Sequence, residues 1–235
     1  MVYKISKEEK LLIVSPHPDD EVLGCGGLVK RLKDAGGEVH VLFITVGDTG
    51  EYSEKGISNG DERISEIEEV AKFLKYDSYQ ILFPGNTFHL RLDSIPQLEL
   101  VSKIEKSLNT LQPTVVAFPQ PHDYNQDHRA TSQALITATR PAPESSKPFQ
   151  RIVLGYESVP VADWAHSMSP NTNFYVELSE TDLDAKIKAL EIYRSQIRKG
   201  FHPRSPHSMR NLAHYRGMQC GRKTAEAYMC YRILW

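Results

Sequence analysis

The sequence predicts a three-layer α/β fold, in which a mostly parallel, Rossmann-like sheet carries helices on both faces. Short apolar runs typical of buried strands alternate with longer segments that have apolar residues at helical spacing. The first two runs, 11–14 and 38–45, flank a segment that ends at Gly36-Gly37, a typical C-terminal signal of a helix. Strands that alternate with helices favour a parallel sheet covered on both sides.

The later elements continue this alternation. A helix over 22–35 joins the first two strands, and a polar loop over 47–60 leads to a helix over 61–75. The pattern then predicts strand 79–83, helix 94–111, strand 114–118, helix 127–139, strands 152–156 and 174–176, and helices 181–198 and 208–228. The proline-rich stretch 141–148 is interpreted as a loop, because strand patterns continue after it. One domain over 1–235 is the simplest division of the chain.

The composition argues against several kinds of partner. With 28 Lys and Arg against 30 Asp and Glu, the net charge of −2 gives no bulk field that would attract nucleic acid or anionic lipid. No apolar run reaches the length of a membrane span or of a signal peptide core, so we expect no membrane span and a cytoplasmic location. Three cysteines without CxxC spacing fit reduced thiols. The apolar C-terminal tail predicts a core or subunit-contact segment, which is compatible with a homo-oligomer.

The first strand runs directly into His17-Pro18-Asp19-Asp20-Glu21. His17 and Asp20 offer a nitrogen and an oxygen donor for one divalent cation, while Asp19 between them stays free for proton transfer. This turn lies at the carboxyl end of a buried strand, where open α/β sheets bind ligands. Capping of the next helix by Asp19 or Asp20 is the alternative. We favour a metal site with Glu21 as a structural acid, because three consecutive acids are costly to crowd without a cation.

A second polar cluster, over 122–130, follows the predicted strand 114–118. It contains His122 and His128, and either histidine also fits a solvated position in a loop or at a helix start. Two strand ends could therefore meet around one metal ion, but the residues alone do not choose between these histidines.

Both clusters resemble motifs of a known family. His17 to Glu21 resembles the HPDDE signature of the metal-dependent de-N-acetylases of the LmbE and PIG-L type, and Asp127-His128-Arg129-Ala130 resembles their second motif. Segments 186–196, 215–217 and 225–227 are similar to the family's C-terminal helices, so the resemblance covers nearly the whole chain. It implies a hydrolase that removes the acetyl group from an N-acetylated amino sugar or glycoconjugate.

The resemblance also implies roles for the residues of the two motifs. His17, Asp20 and His128 would hold one divalent ion, with zinc expected, and Asp19 would act as the general base. Asp127 is expected to orient a catalytic side chain.

Three residues outside the two motifs are also assigned to the site. Asn125 stands where many family members carry a histidine that helps stabilise the tetrahedral intermediate. Its amide can donate a hydrogen bond to an oxyanion, but it supplies no positive charge. The resemblance implies that Arg63 contacts the substrate, and Asp48 in the polar loop is predicted to bind it as well. A surface ion pair of Arg63 with Glu62 or Glu66 is the alternative for the arginine.

Two other functions stay open at this point. A metal-dependent phosphoesterase would use the same kind of ion, but such enzymes usually need two metals and therefore more ligands. A metal-containing sugar-binding protein that has lost turnover is the non-enzymatic alternative. Asp19 argues against this alternative, whereas Asn125 keeps it open.

Overall fold

The computed structural model describes residues 6–50, 56–160, 164 and 172–234. The strands in these ranges are β1 (Lys10–Ser15), β2 (Glu38–Val46), β3 (Ser78–Pro84), β4 (Val115–Pro119), β5 (Ile152–Tyr156), β6 (Phe174–Glu177) and β7 (Ala225–Ile233). The helices are α1 (Asp20–Asp34), α2 (Gly60–Leu74), α3 (Gln97–Leu111), α4 (Gln126–Ala138), α5 (Glu180–Ile192) and α6 (Pro206–Gln219), with a 3-10 turn at Leu92–Ser94. None of these helices combines the length and apolar character that a membrane span requires.

The strands form one sheet in the order β3-β2-β1-β4-β5-β7-β6. Strands β1 to β5 pair in parallel, and β7 lies antiparallel between β5 and β6. Leu11 and Ile13 of β1 join a core with α1, α2, α5 and α6, whereas Leu12 and Val14 join a second core with α3 and α4. The predicted three-layer, mostly parallel fold is confirmed. The sheet contains strands from both ends of the chain, as one domain requires, although that division of the chain stays a prediction.

The strand order reverses at β1. After β1 the chain builds β2 and β3 on one side, and then returns to place β4 on the other side. The carboxyl ends of β1 and β4 therefore open into a crevice, which is where doubly wound sheets bind ligands. Both polar clusters of the sequence follow these two strands.

The C-terminal part differs from the prediction. The helix predicted over 208–228 is wrong in its second half, because α6 ends at Gln219 and β7 follows. The segment 225–227, compared above with a family helix, is strand. Gly221 turns the chain with a φ of +71°, a conformation that glycine adopts without strain. The helix predicted over 181–198 also ends early, at Ile192, and the one predicted from 94 begins at Gln97.

Helix α1 lies unusually close to its neighbours through its glycines. A Cβ atom on Gly24 would lie 2.3 Å from Cδ2 of Tyr156, and one on Gly27 would lie 2.6 Å from Cδ1 of Leu178. Cys25 between them is fully buried as a free thiol. The glycines therefore let α1 approach β5 at this position.

A buried carboxylate fixes this close approach. Glu226 of β7 accepts hydrogen bonds from the backbone N–H groups of Gly27 and Leu28, both at 2.8 Å. It also accepts from Lys186 Nζ at 2.7 Å and from the Tyr228 hydroxyl at 2.8 Å. Only 5% of the Lys186 side chain and 4% of the Glu226 side chain are exposed. The hydrogen bonds from Gly27, Leu28 and Tyr228 therefore replace the water that would otherwise stabilise the Glu226 charge.

Replacing Glu226 by Gln is expected to lower the free energy of unfolding by about 3 to 5 kcal/mol, because it leaves a buried ammonium without its counter-charge. Urea denaturation monitored by circular dichroism measures this change. Asp184→Asn is the matched control, since Asp184 pairs with Arg210 at the surface and such pairs contribute at most about 1 kcal/mol. Equal losses in the two variants would contradict a special role for the buried pair.

Candidate active site

The turn after β1 and the start of α4 bring three donor groups together. Asp20 Oδ2 lies 3.3 Å from His17 Nδ1 and 3.2 Å from His128 Nε2. The ligand atoms of the three residues all lie within 4.8 Å of one another, and all three residues are buried. Ligands placed about 2.1 Å from a tetrahedral zinc ion are about 3.4 Å apart, so these spacings fit one ion.

A carboxylate lies behind each of the two histidines. Asp127 Oδ2 is 2.9 Å from His17 Nε2, and Asp123 Oδ2 is 2.7 Å from His128 Nδ1. Metal-ligating histidines usually donate their second ring N–H to such a group, which fixes the tautomer and the ring orientation. The remaining nitrogen of each ring, His17 Nδ1 and His128 Nε2, is the one that faces Asp20. The donor set therefore fits a divalent cation.

The electrostatics of the cluster also favour a cation. Burial by itself lowers the pKa of His128, but Asp20 and Asp123 outweigh it and raise this pKa well above its usual value. Burial by itself raises the pKa of Asp20, yet the two histidines hold it well below its usual range. The three carboxylates around the two imidazoles thus stabilise positive charge in the crevice, whether a proton or a metal ion carries it.

Asp19 lines the same cavity as these three residues. It occupies the N-cap position of α1 without a side-chain capping hydrogen bond, so the capping alternative does not hold for it. Its φ of 110° is uncommon for a residue other than glycine. Its buried Oδ2 atom makes no hydrogen bond with the described residues, and Arg204 Nη1 lies 3.6 Å away. Burial, followed by the charge of Asp20, raises the pKa of Asp19 to about 7. A buried carboxyl with a raised pKa and an oxygen that makes no hydrogen bond suits proton transfer.

Glu21 turns inward, away from the crevice. Its Oε1 accepts a hydrogen bond of 2.5 Å from the Tyr193 hydroxyl, and its Oε2 accepts one of 3.1 Å from the Asp19 backbone. Burial raises the pKa of Glu21 to about 8. These contacts support the interpretation of Glu21 as a structural acid that supports the turn.

Arg63 is buried in the wall of the same cavity, with 2% of its surface exposed. Its Nη1 donates to the carbonyl of Gly47 at 2.7 Å, and His89 Nε2 lies 3.2 Å from the same atom. The alternative of a surface pair with Glu62 or Glu66 therefore does not hold. Substrate binding by Arg63 stays a prediction.

The structure gives Asn125 and Asp48 other contacts. Asn125 lines the cavity, but its Oδ1 accepts the Asp127 N–H at 2.9 Å as the N-cap of α4. Asp48 is exposed, accepts hydrogen bonds from Gly60 and Asn86, and is not among the residues that line the cavity within the described ranges. Their roles at an oxyanion and in substrate binding stay predictions. Residues 51–55 of the polar loop 47–60 lie outside the described residues.

Several residues that line the cavity had no role predicted from the sequence. Four of its lining side chains come from segments read as loop or as helix: His89, Gln196, Arg198 and Arg204. The segment after α5 reaches the cavity because Glu66 accepts hydrogen bonds from the N–H and hydroxyl of Ser195, at 2.8 and 2.6 Å. Asp123 was part of the second cluster, and its spacing of five residues from His128 was the signal that could have identified it.

Replacing Asp123 by Asn is expected to weaken metal binding by about 10- to 100-fold, the usual effect of losing a carboxylate behind a ligating histidine. Competition with a chromogenic chelator measures the affinity. Glu157→Gln is a suitable control, because Glu157 pairs with Arg216 and is not among the described residues that line the cavity. Unchanged affinity in Asp123→Asn would contradict the expectation that the Asp123 carboxylate strengthens His128 as a ligand.

The fold and the donor set define an α/β protein with a candidate metal centre at the strand switch point. A diacetylchitobiose deacetylase from Thermococcus kodakarensis is 27% identical over 227 residues, which cover 93% of this chain and 81% of that protein. The structure of a conserved protein from Thermus thermophilus matches with a TM-score of 0.74 and 30% identity, over 97% of this chain and 96% of that one. The N,N'-diacetylchitobiose deacetylase from Pyrococcus horikoshii, solved with its inhibitor MPG, matches with a TM-score of 0.73 and 25% identity, over 94% and 83% of the two chains.

The chain belongs to the PIG-L family. The family model, described as GlcNAc-PI de-N-acetylase, matches residues 12–139, a range that contains both motifs and all three candidate ligands. The family resemblance inferred from the two motifs is therefore confirmed.

Proposed function

We propose that this protein is a metal-dependent deacetylase that hydrolyses the acetamide of an N-acetylated amino sugar or glycoconjugate. The observation that carries the proposal is the convergence of His17, Asp20 and His128 beside the buried carboxyl of Asp19, whose Oδ2 atom makes no hydrogen bond with the described residues. The named activity of the Thermococcus kodakarensis relative, which acts on diacetylchitobiose, supports this substrate class. The family description, which names a GlcNAc-containing substrate, supports it too.

Two histidines and one carboxylate form a ligand set that leaves coordination positions open, as catalytic zinc sites do. We propose zinc as the ion, although the same set also suits ferrous iron. The chemistry supplied by a bound divalent cation is Lewis acidity, which polarises an amide carbonyl and makes water a stronger acid.

The proton transfers fall to Asp19. Its Oδ2 takes a proton as water adds to the amide carbon, and later returns that proton to the nitrogen of the departing amine. The new C–O bond and the broken C–N bond yield acetate and a free amino sugar. Arg63 and Arg204 lie in the same cavity, where they can bind hydroxyl or acidic groups of the substrate. The Nδ2 group of Asn125 can donate to the oxyanion while its Oδ1 caps α4.

The proposal is tested by incubating the zinc-loaded protein with a panel of N-acetylhexosamine derivatives and measuring released acetate. The panel contains N-acetylglucosamine, diacetylchitobiose and GlcNAc glycosides of polyols. We expect acetate from at least one compound, and none after treatment with a chelator. The Asp19→Asn protein, loaded with the same metal, is the control for adventitious hydrolysis.

The two alternative functions predict different results in parallel assays. A phosphoesterase would release phosphate from aryl phosphates and bind two metal ions, whereas one donor cluster of three is found in the described part of the chain. A sugar-binding protein without turnover would bind members of the panel in calorimetry and release no acetate. Either result would overturn the proposed deacetylase.

A further inference from the structure

His89 is a buried histidine that the proposed chemistry does not use. It lies in the loop after β3, is 9% exposed and lines the same cavity as the candidate ligands. Its ring meets the His17 ring edge-on, with the centroids 5.4 Å apart and the planes at 88°. A Cβ atom on Gly47 would lie 2.7 Å from Cβ of His89, so the ring also packs against the first residue of the polar loop.

A chain of three hydrogen bonds runs through His89, and its ends fix its direction. The Pro16 carbonyl can only accept, and it does so from the Thr45 hydroxyl at 3.2 Å. Thr45 Oγ1 must then accept from His89 Nδ1, which lies 3.3 Å away. The guanidinium of Arg63 can only donate, so His89 Nε2 is the acceptor of the 3.2 Å contact with Arg63 Nη1. These bonds require a neutral ring with its proton on Nδ1.

The surroundings of His89 support a neutral ring. A charged imidazole would have no lone pair for Arg63 and would place two cations 3.2 Å apart.

We propose that His89 is a positioning residue, which holds the Arg63 guanidinium in the orientation that binds the substrate. The two hydrogens of Arg63 Nη1 are used by Gly47 and His89. Arg63 Nε is buried and makes no hydrogen bond with the described residues. His89 thus determines which N–H groups of Arg63 remain for a substrate oxygen. The proposal rests on the proposed function, because it assigns Arg63 to substrate binding in the same cavity.

Two substitutions distinguish the roles of the two ring nitrogens of His89. Gln places an amide oxygen near the position of Nε2, so His89→Gln can still accept from Arg63. Asn reaches only the position of Nδ1, so His89→Asn can still donate to Thr45 but leaves Nη1 without its acceptor. We expect His89→Asn to raise KM for the acetylated substrate by about 10-fold or more, the usual effect of losing a hydrogen bond to a charged group. We expect kcat to change much less, and His89→Gln to restore most of KM.

A double-mutant cycle tests whether the effect passes through Arg63. In an Arg63→Ala background, His89→Asn should raise KM no further, because the residue that it positions is gone. An equal rise in both backgrounds would overturn the proposal, and so would loss of bound metal in His89→Asn, since the ring would then act through His17. His40→Asn is the matched control: His40 is a buried histidine of β2 that bonds Ser78 outside the cavity, and it should leave KM unchanged.

The tautomer of His89 is measured without substrate. Nitrogen-15 NMR of the zinc-loaded protein, assigned by comparison with His89→Gln, should show a neutral ring with its proton on Nδ1. A proton on Nε2 would overturn the proposal, because Arg63 would then have no acceptor there. Absence of acetate release from the whole panel would instead count against the proposed function, since the tautomer is read independently of turnover.

Discussion

Asp19→Asn is expected to lower kcat by about 10²- to 10⁴-fold while zinc stays bound, because Asn cannot accept the proton of the attacking water. Asn has nearly the same shape as Asp and is among the residues that tolerate a positive φ. The turn, in which residue 19 has a φ of 110°, should therefore keep its conformation. Single-turnover acetate release and metal analysis on the same preparation measure the two quantities.

Asp19→Ala is a less suitable variant, because Ala at this φ adds backbone strain to the loss of the carboxyl. A matched carboxyl for comparison is Asp34, an exposed residue in the last turn of α1 that pairs with Lys30. Asp34→Asn should leave kcat unchanged. Loss of zinc together with activity in Asp19→Asn would make Asp19 a metal ligand rather than a general base.

Asp20→Asn should reduce zinc affinity by more than about 100-fold, because loss of a carboxylate behind a ligand alone costs about 10- to 100-fold. Asp20 Oδ2 lies between the two histidines and also accepts the His17 backbone N–H at 3.0 Å. An amide oxygen keeps that backbone contact, so Asp20→Asn tests the charge of the ligand without removing the support of the turn. Equilibrium dialysis against zinc measures affinity and stoichiometry.

The same measurement on His17→Ala and His128→Ala completes the test of the donor set. Each of the three variants should lose more affinity than Asp123→Asn, in which every ligand is still present. If all three bound zinc with unchanged affinity and a stoichiometry of one, the assignment of this cluster as the metal site would be wrong.

The sequence predicted the fold well where local pattern and tertiary environment agree. Strand β2 reads as a nearly continuous apolar run because helices cover both faces of the sheet, and Gly36, with a φ of +85°, ends the first helical segment as expected. Strand β7 was missed because its first residues, Ala225-Glu226-Ala227, are good helix formers. Their pairing with β5 and β6 overrides this local preference.

The candidate site was predictable only to the extent that its residues lie next to each other in the sequence. His17, Asp19 and Asp20 share one turn, and His128 follows the adjacent strand at the switch point, so the order of the elements was enough to bring them together. His89 and Arg204 come from segments with no regular pattern. Their positions depend on contacts with Thr45, Arg63 and Gln196, which only the three-dimensional packing reveals. The role of His89 could not be inferred from its neighbours in the chain.

The contact of Glu226 with helix α1 has a consequence for the order in which the protein matures. The candidate ligands all occur within the first 128 residues. In contrast, the N–H groups of Gly27 and Leu28 donate to Glu226, which lies 199 and 198 residues further along the chain. Contacts over such separations form late, because the entropy of closing a long loop must be overcome first. During synthesis both motifs would leave the ribosome well before Glu226 of β7 could form its hydrogen bonds with α1. Helix α1, which begins at the candidate ligand Asp20, is therefore expected to become rigid only after β7 has formed.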